Sequence, residues 1–311
     1  MKKYKYNWWR ILLLVITFPF SILIGIIFKT KFLQFCFEYN RESDIQEFLE
    51  DLKKKNMQLE IPIDLIETFD IKTDKGNIST LKLMHENSDK WVIGLHGWTE
   101  NKFLALRLVM HIYNMGYNVI TFDSFAHGQS YGEKTDVGYS AIPLLDQVIK
   151  YLKKNYQPKE IGLIGNSMGA STAILYGEIG AYTSDIKWVI ADCGFSNLND
   201  QFNWKMEQMY KINWIFLNMF IPCGFKKITG LDPRQFDLLE KIYYDIPTMF
   251  IHSTTDSFVP YLMSQKMFEK RNNPNDILWT PTGPDHVKVI ADLNHEYKEK
   301  TKKFINKKLA K

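Results

Sequence analysis

The chain has 311 residues, 45% hydrophobic and 24% charged, which is the composition of a folded globular protein and excludes a disordered or fibrous one. Its net charge of +4 gathers at the two ends, in Lys2, Lys3, Lys5 and Arg10 and again in Lys300, Lys302, Lys303, Lys307, Lys308 and Lys311. The middle is nearly balanced, so these are basic tails and no nucleic-acid surface is expected. Cys36, Cys193 and Cys223 form neither a disulfide framework nor a C-x-x-C pair, and Cys193 reads as a small buried residue.

Ile11 to Phe28 is a run of 18 residues without a charge, bounded by Arg10 and Lys29. At about 1.5 Å per residue it matches a bilayer core, and Trp8 and Trp9 stand where interface anchors would. No small-x-small site follows at Ile26–Thr30, which argues against a cleaved signal peptide, and the run has little polar face for a core helix. Residues 1–30 are therefore expected to be a single transmembrane helix in the cell membrane. The basic residues before the run place the N-terminus inside and the rest of the chain on the extracytoplasmic side.

Residues 31–63 read as a linker with an amphipathic helix over Ser43 to Met57. Ser43 with Gln46 suggests a capping box, and Ile45, Phe48, Leu49 and Leu52 make its apolar stripe. It is either a membrane-side stalk or a helix packed on the domain.

From residue 64 to 311 the pattern is that of one α/β domain. Leu65–Lys72 and Ile78–His85 predict an antiparallel pair turned at Asp74–Asn77. Strands are then expected at Lys90–Leu95, Tyr117–Asp123, Ile161–Ile164, Ile186–Ala191, Thr248–His252 and Ile277–Thr280. Helices are expected at Asn101–Met115, Ser140–Tyr156, Ala170–Gly180, Tyr261–Lys270 and Asp292–Leu309. Short apolar strands alternating with helices imply a mostly parallel central sheet flanked by helices. Phe195 to Tyr244 breaks the alternation with 50 residues rich in Met and aromatics. An apolar insertion of that length, 195–244, suits a helical cap over a site, against the plainer reading of a helix pair packed on the domain.

The chemistry centres on Gly165-Asn166-Ser167-Met168-Gly169. An apolar strand enters it and small helix-forming residues leave it, so Ser167 sits at the apex of a strand–turn–helix. The N–H of Met168 then lies at a helix N-terminus, where negative charge is favoured. Gly128-Gln129-Ser130-Tyr131-Gly132 matches the same pattern, but the residues before Ser130 are loop-like and no helix follows. Context therefore selects Ser167 as the nucleophile.

A serine hydroxyl needs a base, and histidine ionises near neutral pH. His286 follows the last strand and Asp256 follows the strand before it. The order Ser167, Asp256, His286 is the one this arrangement requires, with Asp256 orienting the imidazole. Asp192, at another strand end, is the rival acid, and Asp285 is a poor orienter because neighbouring side chains diverge. His96 and His127 sit in tight loops and read as backbone-bonding residues. His85, His111, His252 and His295 carry no motif, and the absence of an H-x-x-x-H pair argues against a metal site. The loop after Gly97 faces the turn, so the N–H of Trp98 partners that of Met168 as oxyanion donor.

Gly94–Lys102, Phe122–Ser130, Gly165–Ser171 and His252–Pro260 together resemble the α/β-hydrolase superfamily. They are similar to its bacterial esterase-like branch, related to serine aminopeptidases and prolyl-oligopeptidase-type hydrolases, over about Leu65 to Leu309. Ser130 falls in that family's loop after the strand ending at Asp123, which is not its nucleophile loop. Two positions depart from the pattern: Ser253 stands where glycine is common, and Asp285-His286 where Gly-His is common.

The expectation is a membrane-anchored serine hydrolase that cleaves acyl, lipid-like carboxylic esters through an acyl-enzyme, with a small-molecule ester as partner and no cofactor or metal. A serine peptidase of the same fold and a catalytically silent tethered binding protein are the alternatives.

Overall fold

A computed structural model of the chain describes residues 8, 12, 16–18, 20–210, 215–242 and 244–309. They divide into two compact units, one of Met1–Tyr39 with Asn197–Phe236, the other of Asn40–Ser196 with Asp237–Lys311.

The smaller unit contains α1 (Phe20–Phe37), and its helices α6 (Leu198–Tyr210) and α7 (Ile215–Thr229) come from the insertion. The second half of α1 packs on α7. Leu33 approaches so closely that a Cβ on Gly224 would lie 2.7 Å from its Cδ1. Phe32 meets Phe202 at 5.4 Å, Phe202 meets Phe225 at 5.1 Å, and Phe37 stacks on Phe225 at 5.6 Å. These aromatics supply apolar area and edge-to-face contacts that a short helix cluster needs. The insertion closes on itself where the Leu198 N–H donates to the Phe236 carbonyl at 3.0 Å.

The predicted span Ile11–Phe28 lies partly outside the described residues. Among those described, no helix is long and apolar enough to cross a membrane. Only residues 20–28 of α1 are free of charge; Phe20, Leu23, Ile24, Ile26 and Ile27 are exposed there, whereas Lys29 and Lys31 interrupt the run.

The larger unit is built on an eight-stranded sheet. Its strands are β1 (Glu67–Thr73), β2 (Gly76–Leu83), β3 (Lys90–Leu95), β4 (Asn118–Phe122), β5 (Glu160–Asn166), β6 (Ile186–Asp192), β7 (Thr248–Ile251) and β8 (Ile277–Trp279). They lie in the order β1-β2-β4-β3-β5-β6-β7-β8, with β1 and β2 antiparallel to their neighbours and the rest parallel. The parallel strands are buried on both faces, which is why Leu163, Ile164, Val189, Ile190, Met249 and Phe250 read as continuous apolar runs. The chain leaves β3 toward β4 but returns on its other side as β5. That reversal makes a crevice beyond the carboxyl ends of β3 and β5, where ligands meet such sheets.

The flanking helices are α2 (Ile45–Lys54), α3 (Leu106–Tyr113), α4 (Ala141–Asn155), α5 (Met168–Ile179), α8 (Leu262–Arg271), α9 (Val289–Asp292) and α10 (Asn294–Leu309). Three differ from the expectation. α2 is capped by Asp44, whose carboxylate accepts the Gln46 N–H, and not by Ser43. The Ser43 hydroxyl has a stronger call on it, lying 2.9 Å from Lys102 Nζ and 3.3 Å from Asp123 Oδ1, a fully buried ion pair. Phe48 and Leu52 pack α2 into the core of this unit, so it is no stalk. α3 starts late because the Asn101 side-chain Oδ1 accepts the N–H groups of Phe103 and Leu104, winding 101–105 into a turn. The last helix, expected from Asp292, begins at Asn294 as α10, and the short α9 precedes it.

Candidate active site

β5 ends in a turn that only small residues allow. Ser167 holds φ 49° and ψ −117°, a conformation that side chains rarely adopt. A Cβ on Gly165 would lie 2.4 Å from the backbone of Gly169, and one on Gly169 would lie 2.1 Å from the Leu95 carbonyl oxygen. The first turn of α5 is thus pressed against the end of β3. That contact brings the loop after β3, with Trp98, beside the serine and leaves Met168 opening the helix.

Ser167, His286 and Asp256 come together in one hydrogen-bonded chain. Ser167 Oγ lies 2.9 Å from His286 Nε2, and His286 Nδ1 lies 2.7 Å from Asp256 Oδ2. The other Asp256 oxygen accepts the N–H groups of Phe258 and Val259, each at 2.8 Å. Burial alone would raise the Asp256 carboxyl, but hydrogen bonds from His252 and His286 outweigh it and hold the group well below the usual carboxylate range. Asp256 is therefore a carboxylate, and His286 carries its proton on Nδ1, leaving Nε2 to face the serine.

None of the rival side chains enters this hydrogen-bonded chain. Asp192 is fully buried, and burial pushes its carboxyl up to about 7. Its backbone carbonyl accepts the Ser167 N–H at 2.8 Å, so it braces the turn. Asp285 reaches across to the Asp256 loop, accepting from Ser257 Oγ at 2.8 Å, and also accepts from the His286 N–H at 2.8 Å. The Ser130 hydroxyl is buried and accepts the Ser79 N–H at 2.9 Å.

A cavity of about 240 Å³ opens on this chain, lined by Gly97, Trp98, Thr99, Glu100, Asn166, Ser167, Phe258, His286 and Val287. Trp98 and the serine thus share one space. Thr99 takes φ 66° in the same loop. His96 fixes that loop from behind. Its Nε2 accepts the Ser124 N–H at 2.9 Å, so its proton is on Nδ1, which donates to the Gly97 carbonyl at 2.8 Å. Burial lowers the His96 pKa and keeps the ring neutral. His127 is likewise bonded to backbone, its Nδ1 lying 3.0 Å from the Phe125 carbonyl.

Three contributors carried no motif. Glu100 Oε2 accepts from the Gly97 N–H at 2.8 Å and from Asn166 Nδ2 at 3.0 Å, tying the Trp98 loop to the serine turn. Burial opposes its charge, but Arg107 and these donors hold its carboxyl at about 2. His252 lies with Nε2 3.2 Å from Asp256 Oδ2 and 3.0 Å from the Val259 carbonyl. Its position at the end of a strand, four residues before Asp256, was the available signal. Phe258 stacks on His286 at 5.0 Å; nothing in its spacing marks it.

One departure from the family pattern, Ser253, joins two loops of the site. Ser253 Oγ donates to the Pro284 carbonyl at 2.5 Å, and Thr255 Oγ1 to the same carbonyl at 2.9 Å. Hydroxyls thereby tie the Asp256 loop to the His286 loop. Cys193, Asp256 and His286 also offer ligand atoms within 4.8 Å of one another. A metal there would have to part the His286–Asp256 hydrogen bond and deprotonate a thiol that burial pushes well up.

A buried nucleophile-type serine at a strained strand–helix turn, at the switch point of a mostly parallel sheet, defines an α/β-hydrolase architecture. A family model described as the alpha/beta hydrolase fold matches residues 90–229. The uncharacterised Bacillus subtilis (strain 168) protein YqkD is 30% identical over 222 residues, covering 69% of this chain and 70% of its own. The putative esterase YitV of the same organism is 24% identical over 221 residues, 67% of this chain and 82% of its own. Among solved structures, the Pyrococcus furiosus esterase Pf2001 aligns with a TM-score of 0.65 at 30% identity, covering 79% of this chain and 94% of that one. The chain belongs to the α/β-hydrolase family.

Proposed function

We propose that this protein is a serine hydrolase of carboxylic esters. The observation that carries the reading is the unbroken chain from Ser167 Oγ through His286 to Asp256 Oδ2, with links of 2.9 and 2.7 Å. As Ser167 Oγ bonds to the ester carbonyl carbon, its proton passes to His286 Nε2. The carbonyl electron pair moves onto oxygen, where the N–H groups of Trp98 and Met168 receive the charge. The C–O bond to the leaving alcohol then breaks and the alcohol takes the proton from Nε2, leaving an acyl-serine. Water repeats the sequence, giving its proton to His286, and releases the acid and the free serine. Asp256 stays ionised throughout and stabilises the imidazolium.

An acyl, lipid-like ester suits the apolar Trp98 and Phe258 walls of the cavity. Esterase names among the relatives and solved structures support an ester over a peptide bond. The test is labelling of the full chain by a fluorophosphonate, with hydrolysis of nitrophenyl esters of graded chain length beside aminoacyl nitroanilides. Ester turnover and labelling are expected, both lost in Ser167→Ala. A Ser167→Ala protein that still turns over esters at the wild-type rate removes the assignment.

We also read the N-terminal segment as a single-pass membrane anchor with the hydrolase domain outside the cytoplasm. Support comes from the uncharged run Ile11–Phe28 and from the exposed Phe20, Leu23, Ile24, Ile26 and Ile27. Full-length protein should stay with membranes in carbonate and be cut by protease added to intact cells with the outer face exposed; release by carbonate would end this reading.

A further inference from the structure

Three aromatic rings stand in a row beside the nucleophile. Trp98 and Phe258 are stacked with centroids 6.3 Å apart at 26°, and Phe258 and His286 are stacked at 5.0 Å and 24°. The row joins the loop that carries the oxyanion donor to the base. Its middle member is held by the group that holds the base. The Phe258 N–H donates to Asp256 Oδ1 at 2.8 Å, while His286 Nδ1 meets Asp256 Oδ2 at 2.7 Å. One carboxylate therefore sets both rings face to face.

We propose that Phe258 is a positioning residue whose ring face stabilises the positive charge that His286 acquires in each half of the reaction. The face of a benzene ring is its negative pole, and a cation within about 6 Å of the centroid is attracted to it. A neutral imidazole at the same distance gains little beyond dispersion. The interaction is thus stronger once the Ser167 proton has reached Nε2 than before, and only such a difference raises turnover. Trp98, stacked on Phe258 at 26°, helps hold that ring against the imidazole. The alternative is a plain apolar wall of the cavity, which Phe258 also lines. A wall contributes to substrate binding equally in ground and transition states.

This inference rests on the Ser167–His286 reading, and the experiment separates the two. Phenylalanine at 258 is replaced in the full chain by 4-fluoro-, 3,5-difluoro- and 3,4,5-trifluorophenylalanine. These keep the ring shape and progressively weaken its negative face. On one nitrophenyl ester, kcat should fall stepwise, to about 3- to 10-fold below wild type at three fluorines, with KM unchanged. Phe258→Leu should lose about tenfold in kcat, and Phe258→Tyr should recover most of it. The fluorinated series answers the question even if the leucine protein fails to fold, since it alters no volume appreciably.

The second-order rate of fluorophosphonate attack on Ser167 needs the same proton transfer and should follow the same order. A flat kcat across the series, or a change confined to KM, overturns the proposal while leaving the nucleophile standing. Failure of both turnover and labelling in the wild-type chain overturns the Ser167 reading and this inference with it.

Discussion

Replacing Asp256 by asparagine tests the orientation of the base most sharply, because the geometry dictates how the amide must sit. Asp256 Oδ1 accepts two backbone N–H groups, from Phe258 and Val259, at 2.8 Å each. The amide oxygen has to take that place, since an NH2 there would face two donors. The NH2 then occupies the Oδ2 position, 2.7 Å from His286 Nδ1. It donates to Nδ1 and drives the ring proton to Nε2, where it points at Ser167 Oγ. The base is then unable to accept the serine proton, and the negative charge that offsets the imidazolium is gone as well.

Together these should lower kcat by about 10³- to 10⁴-fold, roughly 4–5.5 kcal/mol of barrier. Asp192→Asn is the matched control: its carboxyl sits near 7 and does not bond His286, so its kcat should stay within about tenfold of wild type. Initial rates on a nitrophenyl ester, with thermal melts to confirm folding, decide the matter. A folded Asp256→Asn enzyme within tenfold of wild type, or an equal loss in Asp192→Asn, refutes the orientation argument.

Two further outcomes follow from the packing. Gly169→Ala would set a Cβ 2.1 Å from the Leu95 carbonyl oxygen and 2.7 Å from that of His96, both backbone. The helix or the strand end must move, at about 1–3 kcal/mol and with loss of turnover; a wild-type melting temperature and rate would contradict the close approach. His111 is buried against Thr301 Oγ1 at 2.9 Å, and burial lowers its pKa to about 3. Between about pH 6.5 and 3 the unfolded chain binds a proton there that the folded one does not, so stability present above 6.5 is lost as pH falls. His127, lowered to about 3, acts in the same sense, while Asp192, raised to about 7, acts in the opposite one. In urea titrations from about pH 6 to 5, His111→Gln should flatten the dependence by about 1.4 kcal/mol per pH unit. An unchanged slope would show that His111 is charged or reached by water in the folded state.

Sheet class, strand order along the chain, the strand–turn–helix setting of Ser167 and its meeting with His286 and Asp256 were legible in the residues. The reason is that apolar period, turn chemistry and the glycines at 165 and 169 are local properties. A strand that must be buried on both faces, and a turn that must admit a strained serine, leave their marks within a dozen residues. The helix starts at residues 45 and 106 differ from the expectation because a distant ion pair claimed Ser43 and an asparagine side chain claimed the first N–H groups. Nor did the pattern distinguish insertion residues that fold with α1 from those, 195–196 and 237–242, that belong to the unit with the sheet.

The amino-acid sequence by itself determined which residue could be a nucleophile and in what order its partners follow. Only the tertiary structure decided how that serine is supported. Glu100 tying Gly97 to Asn166, His252 behind Asp256, Ser253 reaching Pro284, and Phe258 facing His286 each join segments that are distant along the chain or arrive by different loops. Their roles follow from distances across a folded crevice, and no periodicity or spacing encodes a distance between side chains that meet only once the sheet has closed.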